Sequence, residues 1–272
     1  MNKAIKILCS SLVVVILFSF SFPVQLFASS IGYNWVSDDK INAFTPSSGG
    51  VWYPRLLKLN NGIWLLSFDT NEDGDTVKCK VLSSFDGGKT WGNKVTVAED
   101  ASGDCANGHM IQLANGDIWL AYRLVVNLDG NYYSYLRVKV SSNNGASWRN
   151  LNNGQIAAEV CNAYRGVWEP HLGCIGNTIA VMYANDGPTI TSRSDQQDIL
   201  MKTWTGNGWS IPTVVSDGVD SNSRDGMPVW CQMSNGSYIV VFEATDKAGY
   251  PFVIKYKTST DGFNWSDTRN EL

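Results

Sequence analysis

Trp168-Glu169-Pro170-His171-Leu172, continuing through Cys174-Ile175-Gly176-Asn177 into Thr178-Ile179-Ala180-Val181-Met182-Tyr183, reads as a β-hairpin. A short apolar run meets a Gly-Asn turn, and a β-branched run returns from it. The pattern recurs as Tyr53-Pro54-Arg55-Leu56-Leu57 to Phe68, as His109-Met110-Ile111-Gln112-Leu113 to Tyr122, and as Pro228-Val229-Trp230 to Phe242. Aligned on Gly62, Gly116, Gly176 and Gly236, the copies step by 54, 60 and 60 residues. A strand-bearing period of this length marks a propeller or an array of sheets, not a sandwich.

Two antiparallel strands joined by a tight turn bring the chain back to its starting end, so residues equally far from the turn are neighbours. Seven positions before the glycine stand Arg55, His109, Glu169 and Val229; seven after it stand Asp69, Arg123, Tyr183 and Glu243. Six of these eight are charged or carry an imidazole, although they flank the most apolar runs of the chain. If the hairpins are inner strands around one axis, Arg55, Asp69, His109, Arg123, Glu169 and Glu243 line a funnel at one face. Strand ends are also polar simply because they meet water, but that explanation does not put six such residues in register.

The chain has 272 residues and a formal net charge of −4, which gives no basic surface for nucleic acid. Residues 1–30 read as a secretory leader: Lys3 and Lys6, the apolar Leu12-Val13-Val14-Val15-Ile16-Leu17-Phe18, then Ala28-Ser29-Ser30 as a small-residue cleavage site. Ser10, Ser11, Ser19 and Ser21 interrupt the apolar stretch and favour cleavage over retention as an anchor. The expectation is therefore a secreted protein, free of the membrane once the leader is removed, with residues 31–272 forming one propeller domain. With 12% aromatic and 17% charged residues, that domain has ample material for a β core, and no periodic run has helical character. Residues 31–50 are polar and Gly/Ser-rich and read as a leading strand or arm. The cysteines beyond the leader are Cys79, Cys105, Cys161, Cys174 and Cys231, without zinc-type spacing. Buried small hydrophobes are one reading of them; a bridge between Cys161 and Cys174, which flank the Glu169 segment, is the other.

Each hairpin is followed by a second turn signal. Ser84-Phe85-Asp86-Gly87-Gly88-Lys89-Thr90-Trp91 is the fullest copy, and Ser141 to Trp148 and Ser259 to Trp265 are close ones. Thr203-Trp204-Thr205-Gly206-Asn207-Gly208-Trp209 is degenerate. The tryptophans Trp91, Trp148, Trp209 and Trp265 step by 57, 61 and 56 residues, in phase with the glycines. In such a turn the Asp or Asn bonds the backbone, Gly supplies a positive φ, and Trp packs between sheets. An Asp like Asp86 is thus structural, joining outer strands far from the axis. These motifs resemble the Asp-box repeats of the sialidase-like β-propellers, an all-β fold of four-stranded antiparallel blades.

Two carboxylates at facing positions suit cleavage of a glycosidic bond. One protonates the leaving oxygen, and the other attacks or stabilises the anomeric carbon. Separations of about 5–5.5 Å give retention and about 6.5–9.5 Å inversion. Glu169, between Trp168 and Pro170, and Glu243, ending Tyr238-Ile239-Val240-Val241-Phe242, are the best pair; Asp69 and Asp186 are further candidates. Desolvation beside Trp168 and Pro170 would raise the Glu169 pKa and suit a proton donor. Trp52, Tyr53, Tyr164, Trp168 and Trp230 are candidate sugar platforms, or simply core.

Trp168-Glu169-Pro170, Ser223-Arg224-Asp225-Gly226-Met227-Pro228-Val229 and Val240-Val241-Phe242-Glu243 resemble segments of the exo-α-1,5-L-arabinanases of glycoside hydrolase family 93. The resemblance implies a retaining hydrolase of six blades that needs no metal or other cofactor and releases arabinobiose from arabinan ends. It implies Glu243 as nucleophile, Glu169 as acid/base and Arg224 near the sugar. Four repeats against six blades imply a domain incomplete at its C-terminal side. The substrate-binding set is then Arg55, Asp69, His109, Arg123, Trp168, Asp186 and Arg224, and the partner is an oligo- or polysaccharide. Two alternatives stay open. One is an exo-α-sialidase, for which Tyr53-Pro54-Arg55 is only a loose match to the arginine motif and no catalytic tyrosine can be placed. The other is a propeller that binds glycans without cleaving them.

Overall fold

The structure is a computed structural model and describes residues 40–161, 165–187 and 195–272, with Val160 and Cys161 described as backbone. The expected leader, Tyr164 and the side chain of Cys161 lie outside the described residues. Asn42–Leu272 forms one compact unit. It holds four antiparallel sheets, each a meander in chain order. The first contains β1 (Val51–Lys58), β2 (Trp64–Thr70), β3 (Lys78–Ser84) and β4 (Gly92–Ala98). The second contains β5 (Gly103–Gln112), β6 (Ile118–Leu128), β7 (Asn131–Ser141) and β8 (Arg149–Asn150), with β9 (Ala157–Cys161) also paired to β7. The third contains β10 (Val167–Ile175), β11 (Thr178–Asn185), β12 (Asp198–Thr203) and β13 (Thr213–Ser216). The fourth contains β14 (Gly226–Gln232), β15 (Tyr238–Ala244), β16 (Val253–Ser259) and β17 (Asn270–Glu271). No helix occurs among the described residues, and residues 40–50 form no strand, which leaves the arm of the two readings for that part; residues 31–39 lie outside the described residues.

Period-2 side-chain alternation is what makes these sheets into blades. Along β6, Ile118, Leu120, Tyr122 and Leu124 join the core shared with the first blade, whereas Trp119 and Ala121 join the core shared with the third. Along β11, Val181 and Tyr183 face the second blade and Ala180 and Met182 face the fourth. A central blade buries both faces, so its strands read as continuous apolar runs. The inner strands touch in the order β1, β5, β10, β14, and no comparable packing among the described residues joins β14 to β1. Leu56 on the first blade and Val229 and Ile254 on the fourth accordingly remain 53%, 50% and 44% exposed.

The boxes sit between third and fourth strands, as expected. The Asp86 carboxylate accepts the backbone N–H groups of Lys89 and Thr90 and the Ser84 and Thr90 hydroxyls, while Trp91 Nε1 donates to Gly88 O at 3.0 Å. Those four bonds hold the Asp86 carboxyl well below the usual carboxylate range. Asn143 and Trp148 repeat the arrangement in the second blade. The degenerate third copy has no such carboxylate; Trp204 and Trp209 instead pack edge to face beside Trp119. Cys79 and Cys105 are buried free thiols, as the small-hydrophobe reading has it, whereas Cys174 and Cys231 are free thiols at the surface, so that reading does not hold for them and the alternative bridge to Cys174 is not formed.

Candidate functional site

All four inner strands share one irregularity that the sequence reading did not include. The ladder slips between Trp52 and Arg55, Ala106 and His109, Trp168 and His171, and Gly226 and Val229. The first residue of each bulge is left-handed: Tyr53 at φ 48°, Asn107 at 59°, Glu169 at 46° and Met227 at 54°. Such backbone costs about 1–3 kcal/mol per residue and persists where the surroundings over-determine it. A bulge re-aims side chains, and here it turns one segment of every blade toward the common centre. Its trace in sequence was Pro54, Pro170 and Pro228, with Gly108 in the second blade, because proline inside a strand marks a bulge or an edge.

The bulges also correct the glycine alignment. The first, second and fourth hairpins close through wider loops in which Gly62, Gly116 and Gly236 donate to Leu59, Leu113 and Met233. The third closes in two residues, pairing Ile175 with Thr178. Counting from the glycine therefore misplaces the third copy. His171, not Glu169, matches Arg55, His109 and Val229 as the first paired residue after the bulge; Glu169 matches Tyr53, Asn107 and Met227. On the returning strands Asp69, Arg123 and Glu243 match Ala184, which pairs with Trp168, and not Tyr183. Tyr183 is 1% exposed in the core, and its hydroxyl is pushed above its usual range chiefly by burial.

A narrow axial cavity is lined by Arg55, Asn107, Glu169, Pro170, His171, Met227 and Pro228, so every inner strand contributes. Glu169 Oε2 accepts the Met227 backbone N–H at 3.3 Å. Burial pushes its carboxyl above the usual range; the Met227 amide, Arg224 and Arg123 pull it back, and Glu243 pushes it further. Glu243 lies opposite Gly226 in the β14–β15 ladder, and its charge is felt at Glu169. Glu243, far from Glu169 in number, is thus near enough across the blades for its charge to act on it, while the cavity itself is lined by Glu169 and not by Glu243.

Asp69 is 1% exposed; Oδ2 accepts the Asn107 N–H at 2.7 Å, and Oδ1 has no partner among the described residues. Burial raises its pKa to about 7 against the pull of the Asn107 and Gly108 amides, Arg123 and Arg55. It lines a neighbouring recess with Trp52, Tyr53, Val77, Ala106 and Arg123. His109 and His171 stack with ring centroids 3.8 Å apart, and His109 Nδ1 accepts the Leu172 N–H at 3.1 Å. That bond places the neutral His109 proton on Nε2. Burial, His171 and Arg55 hold His109 far below its ordinary pKa; burial and Arg55 bring His171 to about 4.

Asp186, 2% exposed, accepts the Trp168 Nε1–H at 2.8 Å and the Gly166 N–H at 2.7 Å on one oxygen. The Arg123 guanidinium lies 4.8 Å above the Trp168 ring. Arg224 donates its backbone N–H to Thr245 Oγ1, and its charge reaches both Glu169 and Asp186. The loop holding it is anchored by fully buried Asp225, which binds the Ser216 and Ser223 hydroxyls and Arg269. His171, Asn107 and the Met227 amide are members of the site that the sequence reading did not single out.

No family model and no curated protein matches the chain. Among solved structures it resembles the α-L-arabinofuranosidase of Fusarium graminearum in complex with an iminosugar inhibitor: 21% identity and TM-score 0.69, over 84% of this chain and 70% of that one. It resembles a Penicillium chrysogenum α-L-arabinanase complexed with arabinobiose at 21% identity and TM-score 0.65, over 80% of this chain and 66% of that one. An endo-arabinase of Bacteroides thetaiotaomicron follows at 15% identity and TM-score 0.58, over 85% and 84%. At such identities the likeness is one of fold: a β-propeller built of four-stranded antiparallel sheets.

Proposed function

We propose that the chain is a glycoside hydrolase that cleaves α-L-arabinofuranosidic linkages of arabinan by a retaining mechanism, in the manner of the exo-arabinanases. The observation that carries the reading is Glu169: a strained, desolvated carboxyl lining the cavity shared by all four inner strands, with the charges of Glu243, Arg123 and Arg224 acting on it. Protonated, Glu169 donates its proton to the leaving glycosidic oxygen while Glu243 attacks the anomeric carbon; that bond forms as the C–O bond breaks. Glu169, now a carboxylate, takes a proton from water, whose oxygen displaces Glu243 and returns it to carboxylate. The Fusarium and Penicillium structures carry arabinobiose in complexes of this fold, which supports a furanose substrate. The leader at residues 1–30 supports export to where such polysaccharides occur.

Product analysis on linear arabinan and 1,5-linked arabino-oligosaccharides tests the reading. Release of short oligosaccharides that disappears in Glu169→Gln and in Glu243→Gln is expected. Undiminished turnover in either variant would overturn it. A second reading has an observation behind it: Arg55 lines the axial cavity, Arg123 lines the neighbouring recess, and the charge of Arg224 acts on Glu169, a set of cations that suits a sugar carboxylate. Cleavage of a fluorogenic sialoside, with arabinan untouched, would select it.

A further inference from the structure

We propose that Asp186 is a positioning residue that acts through the Trp168 indole to hold the Arg123 guanidinium beside Glu169. The inference rests on the proposed hydrolysis, since Glu169 is the group positioned. Asp186 stands at the end of the third blade's second strand, just past Asn185, and closes onto the start of its first: Asp186 N–H donates to Gly166 O at 3.1 Å, and Gly166 N–H returns to Asp186 Oδ1 at 2.7 Å. Arg165 Nε adds a bond to Asp186 O at 3.0 Å. The same Oδ1 takes the indole N–H at 2.8 Å, which fixes the ring plane of the residue just before Glu169. Over that plane, at 4.8 Å, lies Arg123, delivered from the second blade. Arg123 Nε is buried with no partner among the described residues, so at that atom the ring face stands where a hydrogen-bond acceptor would otherwise be. With 2% exposure and its Oδ1 already shared between two N–H donors, Asp186 is built to orient this group and not to meet the sugar itself.

Arg123 reaches two carboxyls, Glu169 and Asp69, and lowers the pKa of each against the burial that raises it. The groups that face Glu169 are Arg123 on β6, the Met227 amide on β14, Arg224 just before it, and Glu243 on β15. Releasing the indole frees Arg123 from its platform and weakens one of the two cationic pulls on Glu169. The proton donor then titrates at higher pH, and its approach to the glycosidic oxygen is less well held.

A double-mutant cycle on the full chain tests this. Asp186→Ala and Trp168→Phe each remove one side of the indole bond. Each is expected to lower kcat by roughly 10-fold or more with little change in KM, and the double variant is expected to be no worse than the poorer single one. The alkaline limb of the kcat/KM profile should move to higher pH in all three. Asp186→Asn keeps the accepting Oδ1 and should restore both kcat and the profile. Losses that multiply, an unmoved alkaline limb, or an Asp186→Asn variant as poor as Asp186→Ala would overturn the proposal, as would lowered melting with unchanged kinetics. If the wild type cleaves no arabinan, the proposed function falls, and the coupling is read from the Trp168 indole N–H resonance and the Arg123 side-chain resonances. Movement of both in Asp186→Ala but not in Asp186→Asn supports it; an Arg123 signal indifferent to Asp186 ends it.

Discussion

Glu169 on the third blade and Met227 on the fourth are joined by a hydrogen bond of 3.3 Å from the Met227 amide to Glu169 Oε2, and both residues are left-handed. Asp69 on the first blade does the same for the second, accepting the Asn107 amide at 2.7 Å. In each case a carboxyl of one blade receives the strained bulge of the next. The acid groups at the axis are thus both chemistry and a clasp between neighbouring blades.

The two glutamates are assigned different roles, and chemical rescue should separate them. Glu243→Gly with azide is expected to yield a glycosyl azide of inverted configuration, since azide attacks in place of the missing nucleophile. Glu169→Gly should give the retained azide, because the covalent intermediate still forms. The anomeric proton couplings in NMR check both, and the opposite pairing would reverse the assigned roles.

Substrates that need no proton donor should reveal the Glu169 proton directly. For natural linkages, loss of general acid catalysis in Glu169→Gln is worth about 10²–10⁴-fold. An aryl arabinofuranoside with an acidic leaving group should suffer far less. The wild type should lose activity toward natural linkages as pH rises past the elevated Glu169 pKa. The variant should lack that alkaline limb.

Stability should carry two opposed pH signatures. His171 is held near 4 in the fold against an ordinary 6.5, so its contribution is full above 6.5 and is lost as pH falls through 4. Asp69, raised to about 7, behaves in reverse: its contribution is full below its ordinary 3.8 and is lost as pH rises through 7. The two overlap between 4 and 6.5 and partly cancel in the wild type. Melting of Asp69→Asn should therefore gain on the wild type as pH rises from 4 to 7. His171→Asn should gain on it as pH falls from 6.5 to 4, by no more than about 1.4 kcal/mol per pH unit. Flat differences would mean that neither group is desolvated.

The first Asp box should matter for stability alone. Asp86→Ala removes the acceptor of four hydrogen bonds, two from backbone amides and two from hydroxyls, and should lower the melting temperature while leaving kcat and KM unchanged. Asp86→Asn should be milder, since Asn143 fills the same position in the second blade.

Gly173 offers a packing test between the third and fourth blades. A Cβ there would lie 2.5 Å from the Trp230 ring, whose Nε1 donates to His171 O at 2.9 Å. Gly173→Ala should cost about 1–3 kcal/mol as that ring is displaced. Denaturant unfolding measures it, and a neutral result would show that the interface can relax.

Much of the architecture was legible in order along the chain. The turn glycines, the in-phase tryptophans and the Ser-x-Asp-x-Gly pattern are local signals, and local bonds in the boxes make them so. Alternation along β6 and β11 encodes two-sided burial, which only stacked sheets satisfy. Glu169, Glu243, Asp69, Arg123 and Arg55 could be nominated because charge beside apolar runs is costly unless something uses it. The register of the third hairpin could not be read, because its two-residue turn, tighter than the other three, shifts its entering strand by two residues and its returning strand by one against the other copies. Membership of His171, and the supporting place of Asp186, followed from that register and from burial.

The sequence by itself determined that four strand meanders recur, which turns close them, and which carboxylates stand near their inner ends. Those properties depend on neighbours a few residues away, so they survive without knowledge of the fold. Only the tertiary structure decided that Glu169 sits on a bulge, that Met227 of the next blade clasps it, and that Trp168 carries Arg123. These are relations between blades about 60 residues apart, set by how sheets pack around an axis, and no local pattern contains that distance.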